Sequence, residues 1–270
     1  MKAFQSLVIL FLVAQSSGHG VVTLIKGANG VDMPGLSVAD GTPRDCSTNR
    51  CGSQADTAII RDREIRNGQV GPLGRTQGNG PVDAATMVAN FVGTGTAPTN
   101  NGANSSVGVE DNLAGGTKSD VATETNVAAT AGAGANSGLP TCSDDGTITM
   151  VFHQINQDGA GPMEAAVDPT SGGTDASAFE TAKVTQDVPG VGFQGLSLAT
   201  STDFPLEVQM PAGMTCEGTV AGVDNVCVVR VRNGAAAGPF GGSAAFTQST
   251  AARKRAIEYR LRRRAEAFRA

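Results

Sequence analysis

Short stretches in which apolar and polar residues alternate recur along the chain, and they predict β-strands. The clearest covers 147–153, where Ile148, Met150 and Phe152 alternate with Thr and Val. Side chains along a strand point to opposite faces in turn, so we expect these three in the core and His153 on the other, less buried face. Similar patterns predict further strands at 20–26, 204–210, 227–232 and 243–248.

Two segments predict helices instead. A charged stretch over 59–66 predicts a short helix with a solvated face. The tail, 251–270, predicts a longer helix, because Ser249 or Thr250 can cap its start. One face of the tail helix would carry four apolar residues: Ile257, Leu261, Ala265 and Phe268.

The stretch 93–140 is poor in large apolar side chains and rich in Gly, Ala, Thr and Asn. Such a composition offers little burial to offset the entropy of folding, so we expect a long, mobile surface insertion. It contains the glycosylation sequon Asn104-Ser105-Ser106, which favours a surface loop.

The amino terminus has the features of a secretory signal peptide over 1–18. Lys2 is followed by an apolar run, and Ser16 and Gly18 place small residues before a cleavage point that would make His19 the first residue. The apolar run is too short to span a membrane, and no later stretch predicts a transmembrane segment. We therefore expect a secreted, extracellular protein.

The composition favours one large β-domain over 19–250. About 250 residues remain after the leader, enough for a substantial core. The chain has 36 Gly, no Trp and one Tyr, with many Thr and Val, which is typical of short strands joined by turns. We expect an all-β, immunoglobulin-like β-sandwich with long loops and a C-terminal basic helix.

Charge divides the chain into an acidic body and a basic tail. Residues 19–250 carry 11 Lys and Arg against 23 Asp and Glu, whereas 251–270 carry 8 against 2. An acidic body argues against nucleic-acid binding. The tail helix either docks on the acidic domain, which we favour, or anchors the protein to a membrane surface or wall polyanion. We expect a monomer.

Five cysteines in a secreted chain predict disulfides. Because the number is odd, at least one cysteine has no partner within the chain. Cys46 with Cys51, and Cys216 with Cys227, are near enough in sequence to close small loops. That pairing leaves Cys142 unpaired, although the sequence alone does not fix the connectivity.

The two histidines of the chain suggest a metal site. An N-terminal His19 would offer its α-amine and its imidazole, and His153 would complete a T-shaped set of three nitrogens. Nitrogen-rich coordination with open positions suits Cu(II). The alternative is that His19 follows the cleavage point by accident and that His153 is a solvated strand residue.

Four segments carry longer motifs: His19-Gly20-Val21-Val22, Pro43-Arg44-Asp45-Cys46, His153-Gln154-Ile155-Asn156-Gln157-Asp158-Gly159-Ala160-Gly161-Pro162 and Ala237-Gly238-Pro239-Phe240-Gly241-Gly242. They resemble the fungal appressorium-specific secreted virulence-factor family of the Mas and Egh type, over nearly the whole mature chain. The resemblance implies a part in host penetration, with a non-catalytic surface or structural protein of the appressorium as the alternative to an enzyme.

A more distant resemblance is to lytic polysaccharide monooxygenases, copper enzymes on a β-sandwich that begin with histidine. It implies that His19 and His153 bind copper, that Phe240 is the axial aromatic near it, and that Gln154 is a polar residue behind the ligands. Phe240 is alternatively a core residue. The implied reaction uses reduced copper and oxygen or peroxide to abstract hydrogen from a cell-wall or cuticle polysaccharide.

The chain departs from that enzyme pattern in its aromatic residues. The body lacks Trp and Tyr, since Tyr259 lies in the tail, so the usual platform for stacking on sugars is missing and we expect polar substrate contacts. Three hypotheses follow: a copper enzyme, a copper-binding protein, or a surface protein without metal. Hydrolysis by a triad or zinc is disfavoured because neither histidine lies in such a motif, whereas paired carboxylates remain open.

Overall fold

The computed structural model describes residues 19–47, 52–100, 117–118, 122–191 and 195–269. Within these ranges no helix is both long and apolar enough to cross a membrane. The strands are β1 (Gly20–Lys26), β2 (Asp32–Pro34), β3 (Ala58–Ile59), β4 (Arg75–Thr76), β5 (Thr117–Lys118), β6 (Thr147–Gln154), β7 (Met163–Asp168), β8 (Glu180–Gln186), β9 (Thr202–Gln209), β10 (Gly218–Val220), β11 (Val223–Asn233) and β12 (Phe240–Thr247). The helices are α1 (Asp62–Arg66), α2 (Ala84–Phe91), α3 (Asn126–Ala129), α4 (Gly134–Ser137) and α5 (Thr250–Ala267).

The strands form one curled antiparallel sheet. Its order is β2-β1-β6-β9-β8-β7-β11-β12-β3-β4, with β10 added to β11 and β5 to β9. Strand β8 pairs with β7 near its start and with β9 near its end, so it joins two layers that fold over one another. This arrangement confirms the predicted all-β, sandwich-like fold.

The layers close where β1 packs against β12. A Cβ added to Gly242 would lie 2.7 Å from the backbone nitrogen of Val22, so only glycine permits this approach. The backbone N–H of Leu36 donates to the carbonyl of Ser243 at 2.9 Å beside the same contact. The beginnings of β1 and β12 are therefore held together at one end of the sandwich.

Most of the predicted strands are present, with shifts at their ends. The first strand covers 20–26 as predicted, and the tail helix begins with Ser249 as its cap, accepting a hydrogen bond from the backbone of Ala252. The last strand begins at Phe240 rather than Ser243. Gly241 and Gly242 thus belong to the strand, and Gly242 permits its close approach to β1.

The expectation of a long surface insertion over 93–140 needs one change, since the mostly exposed residues 122–140 are tied to the core at Val127 and Leu139. Val127 and Leu139 are buried in the main core, and the side-chain amide of Asn90 donates to the carbonyl of Val127 at 3.0 Å. A few well-placed apolar residues suffice to anchor a stretch of low average hydrophobicity. The sequon at Asn104 lies outside the described residues.

The disulfide prediction holds where the structure describes the cysteines. Cys216 and Cys227 are bonded, and Cys142 is a buried free thiol whose pKa is raised by burial. Cys46 is also disulfide-bonded, and Cys51, its predicted partner, lies outside the described residues.

A buried charge cluster fixes the loops that precede β3. The Arg44 guanidinium donates to both Asp56 carboxylate oxygens, at 2.9 and 2.5 Å, and to Glu124 at 3.1 Å. All three side chains are almost completely buried. Burial acts to lower the pKa of Arg44, but the two carboxylates outweigh it and raise that pKa above its ordinary value. Arg44 therefore stays charged and ties 122–126 to the loops before β3.

We expect Asp56→Ala to lower the free energy of unfolding by about 3–5 kcal/mol, because it leaves a buried guanidinium without its bidentate partner. The control is Asp62→Ala, which breaks the more exposed pair of Asp62 with Arg232 and should cost about 1 kcal/mol or less. Urea denaturation followed by circular dichroism measures both values. Equal losses in the two variants would contradict the special role of the buried cluster.

Candidate metal centre

His153 lies near the end of β6, between β1 and β9. It pairs with Val21 of β1 on one side and with Asp203 of β9 on the other. The prediction that it lies on a less buried face is wrong, since His153 is 0% exposed. The alternation of apolar and polar residues along a strand distinguishes its two faces. It does not show which other segments cover the end of the strand and bury a residue there.

The imidazole of His153 is held by Asp203. Nδ1 lies 2.6 Å from a carboxylate oxygen of Asp203, so it donates its proton there. Nε2 is buried and has no hydrogen-bond partner. An unsatisfied buried polar atom costs about 1–3 kcal/mol, and the lone pair that Nε2 has when Nδ1 carries the proton could accept a ligand. Histidines that bind metals commonly donate their other N–H to a carboxylate in this manner.

The backbone of His19 is fixed next to this imidazole. Its carbonyl accepts from the N–H of Ile155 at 2.9 Å, and its nitrogen donates to the side-chain oxygen of Asn156 at 2.8 Å. His19 is therefore opposite Ile155 and a diagonal neighbour of His153 across the β1–β6 pair. Diagonal neighbours lie roughly 7–8 Å apart, within reach of two imidazoles that share one metal ion.

Gly159 allows the turn after β6 to close over His19. A Cβ at Gly159 would lie 2.1 Å from the carbonyl oxygen of His19. Any side chain there would push the turn and Asn156 away from the start of β1. The Gly159 position thus sets the distance between the turn and the first residues of the predicted mature chain.

Phe240 packs on the ring of His19. The two ring centroids are 4.5 Å apart and the planes are tilted by 31°. Phe240 is also buried in a small apolar cluster with Ile59 and Ala235. Phe240 is therefore a core residue that also contacts the His19 ring, and its role as an axial aromatic near copper stays a prediction.

Asn233 connects Phe240 to the turn after β6. Its side-chain oxygen accepts from the backbone N–H groups of Ala235 and Phe240, and its amide donates to the carbonyls of Asp158 and Ala160. All four hydrogen-bonding positions of this buried amide are satisfied. The Asn233 side chain thus connects the turn after β6 to Phe240, and both of these lie next to His19.

Gln154 follows His153 in the strand, where successive side chains alternate between faces. Its amide donates to the carbonyls of Asn156 and Ala199, at 3.0 and 2.8 Å. Its side-chain oxygen is buried without a hydrogen-bond partner. Gln154 therefore supports the turn that carries Asn156.

Sequence reasoning missed Asp203, Asn156 and Asn233. Asp203 becomes visible only through the β6–β9 register, since 50 residues separate it from His153. Asn156 is within a quoted motif, but a polar residue in a turn gives no signal of its own. Asn233 ends a strand, where a polar residue is unremarkable.

The donor set around His19 and His153 is small. In the ranges that the structure describes, no group of three or more His, Cys, Asp or Glu side chains is arranged to hold a metal ion. A metal at this place would therefore need the His19 nitrogen as its third donor. An amine binds a metal readily and an amide does not, so copper binding here would require removal of residues 1–18.

An exposed apolar patch lies beside the turn. Val191, Leu196 and Leu198 are all solvent-exposed. Their loop is tied to the turn, because the N–H of Ser197 donates to Gln157 and the N–H of Ala160 donates to Gly195. Three exposed aliphatic side chains therefore lie near the turn that covers His19, while the expectation of polar substrate contacts stays a prediction.

Comparisons with known proteins give a consistent result. The profile of the Egh16-like virulence factor family matches residues 17–241. Among the relatives is the appressoria-specific virulence factor GAS2 of Pyricularia oryzae, 54% identical over 269 residues, which span 96% of this chain and 93% of the relative. The appressoria-specific virulence factor GAS1 of the same fungus is 32% identical over 251 residues, spanning 92% of this chain and 80% of that relative.

No solved structure matches the fold at a significant level. The family match covers most of the chain, including both histidines, Asp203 and Phe240. It confirms the resemblance that the four motifs carry. The chain belongs to the Egh16-like virulence factor family.

Proposed function

We propose that this chain is a secreted virulence-associated protein of the appressorium that holds copper between His19 and His153 and oxidises a wall or cuticle polysaccharide. The virulence role is supported by the names of the two relatives. The metal site is supported by one observation above all, the buried and unpartnered Nε2 of His153 next to a carboxylate-bound Nδ1.

The chain's own residues would prepare the site. Asp203 fixes the tautomer and orientation of His153, and Asn156 accepts a hydrogen bond from the His19 nitrogen. Phe240 shields one side of the His19 ring from water. Copper, when bound, would supply one-electron redox chemistry with oxygen or peroxide, which no side chain of the site can provide. The exposed side chains of Val191, Leu196 and Leu198 would contact the substrate.

A non-catalytic surface protein is the second candidate. The observation that favours it is the burial of both histidine rings, at 1% and 0% exposure, because a substrate must reach an oxidising centre. In that case the Asp203–His153 contact only stabilises the end of β6. The two candidates differ in whether metal binds and in whether polysaccharide is oxidised.

We expect copper affinity to depend on the amino terminus. A chain that begins at His19 should bind Cu(II) orders of magnitude more tightly than the same chain with one residue added before His19, because the addition converts the amine into an amide. His153→Ala should weaken binding as strongly. Phe240→Ala should retain most of the affinity, since it removes no donor. Calorimetric titration compares the four proteins, and equal affinities of the processed and extended forms would reject the copper site.

We expect Asp203→Asn to lower the copper affinity by about 10- to 100-fold, because the carboxylate that orients His153 is lost. Glu207→Gln is the matched control, since it neutralises another acidic residue of β9 that pairs with Thr149 rather than with histidine. Thermal unfolding without metal should be similar in both variants. If the control loses as much affinity as Asp203→Asn, the effect comes from net charge alone.

We expect the copper-loaded chain with a reductant to release oxidised oligosaccharides from an insoluble wall polysaccharide, and His153→Ala to release none. Mass spectrometry of the soluble products detects the added oxygen. If copper binds tightly but no wall or cuticle fraction yields oxidised products, the enzyme hypothesis is rejected. The protein would then be the non-catalytic surface protein.

A further inference from the structure

One face of α5 is docked on the sandwich. Ala252 and Ala256 are buried, and a Cβ at Gly213 would lie 2.9 Å from the ring of Tyr259. Arg253 adds hydrogen bonds to the carbonyl of Cys216 and the side chain of Asn225. These contacts agree with the predicted docking of the tail on the domain, but they use Ala252, Ala256, Tyr259 and Arg253 instead of the predicted apolar face.

The opposite face of α5 carries its large apolar residues. Ile257, Leu261 and Phe268 are 40%, 58% and 92% exposed. At about 100° per residue, these three lie within about 40° of one another and roughly 150° from the docked alanines. They form an apolar strip that points away from the domain and has no partner within the described part of the chain. We call Ile257, Leu261 and Phe268 the outer strip.

Basic side chains surround the outer strip. The tail carries 8 Lys and Arg against 2 Glu, the reverse of the acidic body. Lys254 and Arg264 lie beside the strip on the helix surface. Within the described ranges Arg255, Arg262 and Arg264 form no ion pair, and the other tail pairs are loose, at 3.6 to 4.0 Å. The body leaves most of this positive charge unneutralised.

We propose that the outer face of α5 binds the surface of an anionic lipid bilayer, with the outer strip inserted among the headgroups. An apolar strip flanked by arginine on a helix too polar to cross a membrane is typical of helices that lie in the interface plane. Its 18 residues give a length of about 27 Å along that plane. The proposal does not depend on copper.

Two other occupants fit the outer face less well. A soluble polyanion would contact the arginines but would leave the three apolar side chains in water. A second copy pairing strip to strip would bring two strongly basic helices together, and their charges would repel. A bilayer with anionic headgroups satisfies both the charge and the apolar surface.

The test uses residues 19–270 and co-sedimentation with two kinds of vesicle, phosphatidylcholine alone and phosphatidylcholine mixed with phosphatidylserine. We expect binding to the mixed vesicles that weakens as salt rises, because salt screens the arginine attraction. The triple variant Ile257→Ser, Leu261→Ser, Phe268→Ser should lose at least tenfold in partitioning. Circular dichroism should show the same fold, since all three side chains are exposed.

The matched control is Val191→Ser with Leu198→Ser, which removes exposed aliphatic residues elsewhere and should leave vesicle binding unchanged. Lys254→Gln with Arg264→Gln should weaken binding to the mixed vesicles, because these two cations flank the outer strip. Unchanged partitioning of the triple variant would overturn the proposal. It would also be overturned if the parent bound polygalacturonate but no vesicle, or if it formed a dimer that the triple variant did not.

Discussion

The pairing of the His19 carbonyl with the N–H of Ile155 determines where the chain's first described residue lies. From this bond the β1–β6 register follows, and it puts Val21 opposite His153. Gly159 and Gly242 permit the close backbone approaches that keep β1 between the turn and β12. Without this bond the start of β1 would fray, and the His19 ring would lose its contact with Phe240.

The strands and the tail helix could be predicted because their signals are local. Alternation at Ile148, Met150 and Phe152, and a cap at Ser249, depend on neighbours in sequence. The burial of His153 and its contact with Asp203 could not be predicted in this way. They arise from the order of the strands in the sheet and from the segments that cover the end of β6. The attachment of 122–140 to the core has the same origin, because Val127 and Glu124 gain their partners only in the folded chain.

Buried polar groups organise much of this protein because its sequence has few large apolar side chains. Arg44 joins loops through two carboxylates, and Asn233 joins the turn after β6 to the start of β12. Each of these groups needs all of its partners, so each specifies one arrangement of the loops around it. His153 differs from Arg44 and Asn233, since one of its ring nitrogens has no hydrogen-bond partner.

Among the described residues, the ten-strand path of the curled sheet ends at two very short strands. At one end β2 has three residues and finishes with Pro34, which has no N–H to donate, while at the other end β4 has two residues. Edges of this kind offer almost no template on which the backbone of another molecule could add a strand. A β-rich protein built in this way can accumulate at high local concentration with little tendency to polymerise through its sheets.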